Sequence, residues 1–249
     1  MDRLVFLMSE NGNWYPVALS DGVETGSSSG THLLGEEIVI WRDGTGAPHV
    51  WEDRCPHRGM RLSFGFVRSD RIACLYHGWQ YGTDGRCLAV PAHPNLKVPP
   101  SITVWRHSCH EQLGMIWAHF REATGAPGIP VEATGEVLPI RSLHIDCPAD
   151  VLAEQFASFD IAPFNSELAD GSRSTRRDGS LIIVTMQNGG LSETLIGGVQ
   201  PLDEDHSALH AVLAVSSGDY RGAGQLHFAR FVEKLRDQLE TGGRSSRAQ

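Results

Sequence analysis

The chain has 249 residues, 41% hydrophobic and 20% charged, with a formal net charge of −9. That length supports one large domain or two modest ones, and the composition is ordinary for a soluble globular protein. The acid excess and the lack of any long Lys/Arg run exclude a nucleic-acid footprint; the excess serves solubility first and the orientation of a basic redox partner second.

The apolar stretch within residues 1–10 is too short for a signal-peptide core. No apolar run approaches the ~18–20 residues that span a bilayer, so no membrane contact is expected and the location reads as cytoplasmic. Cysteines 55, 74, 87, 109 and 147 make a poor disulfide framework and fit a reducing compartment that leaves thiols free for metal.

Residues 13–18 read as an extended segment with Pro16 at its centre, and 21–30 as a flexible loop. Short β-branched and aromatic runs come next, at 38–41, 49–52, 72–76, 87–90 and 114–120. Gly, Pro and Asp turns separate them, as in a small all-β unit. Residues 121–136 look like a hinge. Beyond it, 140–145 suits a strand. Residues 149–159 suit a helix with Val151, Leu152, Phe156 and Phe159 on one face. Further strands are expected at 181–187, 193–197 and 208–215. A helix is expected over 225–240, where Phe228, Phe231, Val232, Leu235 and Leu239 share a face. The fold class is therefore α+β. Its divisions are 1–125, a small all-β domain; 126–136, a hinge; 137–241, a second α+β domain; and 242–249, a frayed tail.

The chemistry lies in two short segments, Cys55-Pro-His57-Arg-Gly and Cys74-Leu-Tyr-His77-Gly-Trp79, with sixteen residues between His57 and Cys74. Each supplies one thiolate and one imidazole from a tight loop, and Gly59 and Gly78 permit the turns. A Rieske-type [2Fe–2S] centre takes two Cys on one iron and two His on the other. Zinc also accepts two Cys and two His, but usually as Cys-x(2–4)-Cys and His-x(3–5)-His pairs. Mixing one of each in both halves favours the cluster, on Cys55, His57, Cys74 and His77. Trp79 and Tyr81 are expected to pack over the loops, and Cys87, Cys109 and Cys147 to be ordinary small buried residues.

These segments, continued through Gln80-Tyr-Gly-Thr-Asp-Gly-Arg-Cys87, resemble the Rieske domain of ring-hydroxylating and demethylating oxygenase α subunits. Trp14-Tyr15-Pro16-Val17-Ala18 and Gly114-Met115-Ile116-Trp117 resemble that family's opening and closing elements. Respiratory Rieske proteins carry an extra cysteine in each loop, and those two form a disulfide. Met60 and Tyr76 stand there, so the resemblance is to the oxygenase type.

The resemblance also implies a second, helix-grip domain with a mononuclear iron on two His and one carboxylate. Aligned on Glu154, Phe156 and Ala162-Pro163, the chain has Gln155 at the family's Asn and Ser158 at its bridging Asp. Ile161 and Ser166 stand at the two His ligands. The second domain reads as contracted, its mononuclear Fe(II) absent unless Asp160, His206 and His210 rebuild a site. The resemblance with these departures implies an electron-transfer subunit with no catalytic residues of its own. A reductase or ferredoxin would feed it, and it would serve a catalytic α-type subunit in a hetero-oligomeric ring. A self-contained oxygenase with an atypical iron site is the alternative, and a structural or assembly subunit the weaker one.

Overall fold

The computed structural model describes residues 14–120, 126–128, 135–216 and 218–246. In the first half, ten strands form two antiparallel sheets. They are β1 (Trp14–Leu19), β2 (Ser28–Leu33), β3 (Glu36–Arg42), β4 (Pro48–Glu52), β5 (Phe66–Arg68), β6 (Arg71–Ala73), β7 (Gln80–Gly82), β8 (Cys87–Ala89), β9 (Arg106–Gln112) and β10 (Met115–His119). The larger sheet runs β1-β10-β9-β4-β3-β2 and the smaller β5-β6-β7-β8. Pro16 lies on β1, an edge strand, where a missing N–H is tolerated.

The second half is one five-stranded antiparallel sheet and two helices. Its strands are β11 (Glu136–Ile145), β12 (Ser172–Asp178), β13 (Leu181–Asn188), β14 (Leu191–Pro201) and β15 (Ser207–Val215), ordered β11-β15-β14-β13-β12. The helices are α1 (Ala149–Ser158) and α2 (Ala223–Ser246). Neither is apolar enough to cross a membrane.

Strand alternation decides what meets what. On β3 and β4, Val39, Trp41 and Trp51 face the small sheet and share a core with Cys55, Cys74 and Tyr81. Their neighbours Ile38, Ile40 and Val50 belong to the cluster that runs on to Phe156 and Phe228 of the helices. Across the five-stranded sheet, Leu181, Ile183, Ile196 and Val212 pack with Trp14, Met115 and Trp117 of the first half. The opposite face carries Ile182, Val184, Leu195 and Leu213 toward the helices.

Adjacent glycines on β14 serve both faces. A Cβ on Gly197 would lie 2.8 Å from Phe156 Cζ, and one on Gly198 would lie 2.8 Å from Pro16 Cγ and 2.9 Å from Met115 Sδ.

The two halves are also joined by polar groups. The N–H groups of Leu34 and Gly35, in the β2–β3 turn, donate to Pro201 O (2.9 Å) and Leu202 O (2.7 Å). Gln200 Nε2 donates to His32 O at 2.6 Å. Its Oε1 accepts from His210 Nε2 at 2.8 Å, while the Ser142 hydroxyl donates to His210 Nδ1 at 2.8 Å. His210 is buried, and burial, then the neighbouring His144, brings its pKa down to about 3.

The differences from the sequence expectations have physical reasons. The 21–30 loop is anchored rather than free: the buried Arg42 guanidinium donates to Ser20 O, Val23 O and Gly46 O and pairs with Glu111, and residues 28–30 already belong to β2. The strand expected at 72–76 stops at Ala73, because Cys74 opens a turn. On α1 the expected Leu152 and Phe156 are buried and Phe159 packs partly buried against the same core, while Ala149 and Ala153 complete the buried face and Val151 is only half-buried. The tail expected from Gly242 continues as α2 to Ser246. Most of the expected hinge lies outside the described residues.

Two outcomes are expected from this packing. Gly198→Ala should lower unfolding stability by ~1–3 kcal/mol through overpacking against Pro16 and Met115, read as the denaturation midpoint. An unfolded histidine takes up its proton near pH 6.5, but His210 in the fold only near 3. Its contribution is full above ~6.5 and lost as the pH falls toward 3, by up to ~1.4 kcal/mol per pH unit. His210→Gln should therefore show a shallower acid limb than the parent in urea titrations between pH 6 and 4.

Candidate metal centre

The two motif segments form matching loops. The Cys55 N–H donates to Met60 O (2.8 Å) and the Gly59 N–H to Cys55 O (2.8 Å). In the second loop the Cys74 N–H donates to Trp79 O (2.9 Å) and the Gly78 N–H to Cys74 O (3.0 Å). Both glycines take positive φ, +73° and +70°, and a Cβ on Gly78 would lie 3.1 Å from Pro91 Cγ. The sequence supplies the only residue that reverses the chain there without strain.

The loops sort their side chains. Cys55 and Cys74 are buried, His57 is half-buried and His77 exposed. The two imidazoles lie 4.7 Å apart between ring centroids, and His57 stacks on Trp79 at 4.3 Å with an interplanar angle of 5°. Tyr81, fully buried, shares a 3.0 Å hydrogen bond with Cys55 Sγ. Burial pushes the Cys74 thiol up, while the N–H groups of Tyr76 and His77 pull against it. His57 is shifted below its ordinary value by desolvation, then by His77 and Arg58.

Buried Asp53, which carries no signal in the sequence pattern, holds the first loop from behind. It accepts from the Ser63 N–H (2.7 Å) and hydroxyl (2.5 Å), fixing the turn Leu62–Phe64 just beyond the loop. Among the described residues, no three His, Cys, Asp or Glu side chains are set to hold a single ion. The arrangement has two thiols inside and two imidazoles toward the surface, a donor set that a Rieske-type [2Fe–2S] cluster takes with two Cys on one iron and two His on the other.

Residues 13–100 match the Rieske [2Fe–2S] domain family. The oxidoreductase NdmD of Pseudomonas putida is 39% identical over 116 residues, 46% of this chain and 20% of that protein. Methylxanthine N1-demethylase NdmA of the same organism is 37% identical over 122 residues, 47% of this chain and 34% of that one. Residues 13–100 thus form a Rieske [2Fe–2S] domain. The solved structure of NdmA shares its fold, with a TM-score of 0.72 at 22% identity over 96% of this chain and 83% of that one. The sequence matches span only 20% and 34% of the length of these two curated relatives. A Rieske domain implies a [2Fe–2S] cluster, and the donor set in the two loops fits one.

In the second half of the chain, the residues that the resemblance sets at the iron-ligand positions do not converge. Ile161 is buried in the apolar core and Ser166 is exposed at the start of a short helical turn. Asp160 is fully exposed and faces Arg173 at 3.6 Å. His206 is paired with Asp203 in the β14–β15 turn, and His210 is committed to Ser142 and Gln200.

At the 161–166 segment stands a group the sequence did not flag, the fully buried Glu193 of β14. Its carboxylate accepts from the Phe164 N–H (2.9 Å), the Asn165 N–H (2.7 Å) and the Tyr220 hydroxyl (2.8 Å). Burial, then this carboxylate, raises the Tyr220 pKa well above its ordinary value. The one sequence signal is a glutamate at an inward position of an apolar strand.

Gly78→Ala should lower the cluster content of purified protein, read as iron and acid-labile sulfide per chain, since a side chain there strains φ and meets Pro91. Glu193→Ala should cost ~2–4 kcal/mol, because it orphans the buried Tyr220 hydroxyl and two partly buried backbone N–H groups, with Tyr220→Phe costing ~1 kcal/mol; denaturant titration reads both.

Proposed function

We propose that Cys55, His57, Cys74 and His77 ligate the [2Fe–2S] cluster, and that the chain is an electron-transfer subunit of a multi-component oxygenase system. It takes electrons from a reductase or ferredoxin and delivers them to the mononuclear iron of a catalytic α-type subunit, in a hetero-oligomeric assembly.

One contrast supports this reading. The cluster loops carry every donor a Rieske centre needs, with both imidazoles toward solvent where a partner can approach. The segment aligned with the iron ligands offers a buried isoleucine and an exposed serine, organised around a carboxylate already saturated with hydrogen bonds. That donor set does not fit a facial triad, which supports a chain that relies on a partner's mononuclear iron. Five free cysteines accord with the cytoplasm or another reducing compartment.

The test has two parts. Purified holoprotein should contain two irons per chain; three per chain would establish a self-contained oxygenase. In a mixed reconstitution with the catalytic partner, Cys55→Ser should abolish turnover. Unchanged turnover would take this cluster off the electron path and leave the chain a structural subunit.

A further inference from the structure

Sixteen residues separate His57 from Cys74, yet the two loops have to stand at one fixed separation. Each supplies one thiol and one imidazole; with two Cys on one iron and two His on the other, each iron is bound from both loops. A change in the gap between the loops therefore strains the bonds to both irons together. All five cysteines are free, so no disulfide fixes that gap.

Ties between the loops are found at three depths. At the back, the intervening chain turns through β5 and β6, paired with Phe66 opposite Ala73. At the level of the thiols, Tyr81 on β7 meets Cys55 Sγ of the first loop through its hydroxyl at 3.0 Å. At the outer level, where the imidazoles stand, the tie is Trp79. It belongs to the second loop, and its indole lies flat on His57 of the first, 4.3 Å between centroids and 5° between planes. Trp79 is itself well held. Its carbonyl accepts from the Cys74 N–H (2.9 Å), and its side chain packs partly buried against the core that contains Trp41, Trp51 and Tyr81. His77, by contrast, is covered from within its own loop, by Tyr76 at 3.9 Å and 35°. The two imidazoles meet edge-on at 4.7 Å, but both are ligands, and neither braces the other independently of the cluster.

We infer that Trp79 is a positioning residue for the cluster: its stack on His57 fixes the gap between the two loops and the plane of one ligand ring. The inference rests on the four-ligand reading and deepens it. The torsion that turns an imidazole about its Cβ–Cγ bond is broad, so rotamer preference alone leaves the His57 plane open. In metal sites that plane is usually set by a hydrogen bond at the second ring nitrogen. For His57 a flat indole sets it from the face of the ring. An aliphatic side chain of similar bulk fills the same space but offers no plane, whereas a phenyl ring keeps one.

The experiment compares the holoprotein with its variants in three readings. They are release of the cluster to a chelator followed by the visible spectrum, the EPR linewidths of the dithionite-reduced cluster, and the denaturation midpoint. Trp79→Leu should release the cluster about five- to tenfold faster than the parent, the scale of one lost aromatic contact, and should broaden the EPR lines. Trp79→Phe and Tyr76→Leu should each stay within about twofold of the parent, the first keeping a flat ring and the second removing a stack made within one loop. If Trp79→Leu takes up no cluster, Trp79→Met takes its place in the comparison, and a cluster held by the phenylalanine variant but by neither aliphatic one supports the inference. Equal release from the aliphatic and phenylalanine variants, equal release from Trp79→Leu and Tyr76→Leu, or loss of the cluster from Trp79→Phe overturns it. So does a lowered denaturation midpoint with unchanged EPR lines, the signature of packing alone. A parent protein with no Rieske EPR signal overturns the four-ligand reading instead, so the two failures are distinct.

Discussion

Strand β14 has to satisfy two neighbours at once, and the rest of the molecule is arranged around how it does so. Its odd-numbered positions meet the helices and its even-numbered ones the first half of the chain. At Gly197 and Gly198 both neighbours come so close that no side chain fits. Phe156 of α1 enters on one side, and Pro16 with Met115 on the other. The same strand then supplies Glu193 to the helix side and Gln200 to the opposite side, where it binds His210 and the His32 carbonyl. A slip of one residue would exchange those two polar groups and bury each without partners. The register of β14 is thereby fixed by packing and hydrogen bonding together, and with it the seating of the cluster-binding half on the second sheet.

How far the sequence can be read depends on whether a strand announces itself by apolar residues. β3, β4, β10, β13 and β15 carry runs such as Ile38-Val-Ile-Trp41, and their signal is strong. β2, β9 and β12 read Ser-Ser-Gly-Thr-His-Leu, Arg-His-Ser-Cys-His-Glu-Gln and Ser-Arg-Ser-Thr-Arg-Arg-Asp. They are strands because neighbours offer a ladder of backbone partners, information held in β3, β10 and β13. β2 and β12 also lie at sheet edges, where polar and charged side chains are the common solution to an exposed ladder. The α2 tail is a similar case, since helix geometry carries the chain through two glycines that propensity alone would make a terminus.

The centre divides in the same way. Four metal-type donors and two turn glycines are readable from spacing, because ligation chemistry and backbone reversal both demand particular residue types. What holds those donors is not readable as such. Asp53 looks like any aspartate before a turn, yet it is buried and fixes the segment after the first loop. That Tyr81 and Trp79 pack near the loops is legible from their place in the motif. Their particular contacts, a hydrogen bond to one thiol and a stack on one imidazole, depend on a fold that brings β7 beneath Cys55.

Glu193 ties the 161–166 segment to the sheet. A metal ligated by residues on one loop contributes folding free energy by tying that loop to the sheet. Here the 161–166 segment is tied by two backbone N–H groups on a carboxylate, by the buried side chain of Ile161, and by Phe164 against Tyr220 and His227. Hydrogen bonds to a charged acceptor are each worth ~1.5–3 kcal/mol, enough in sum to keep the segment seated. With its lone pairs occupied, the carboxylate has little left to offer an incoming ion, and displacing it would strand the donors it satisfies. The 161–166 segment, and with it the register of β14, is therefore held by this chain's own groups.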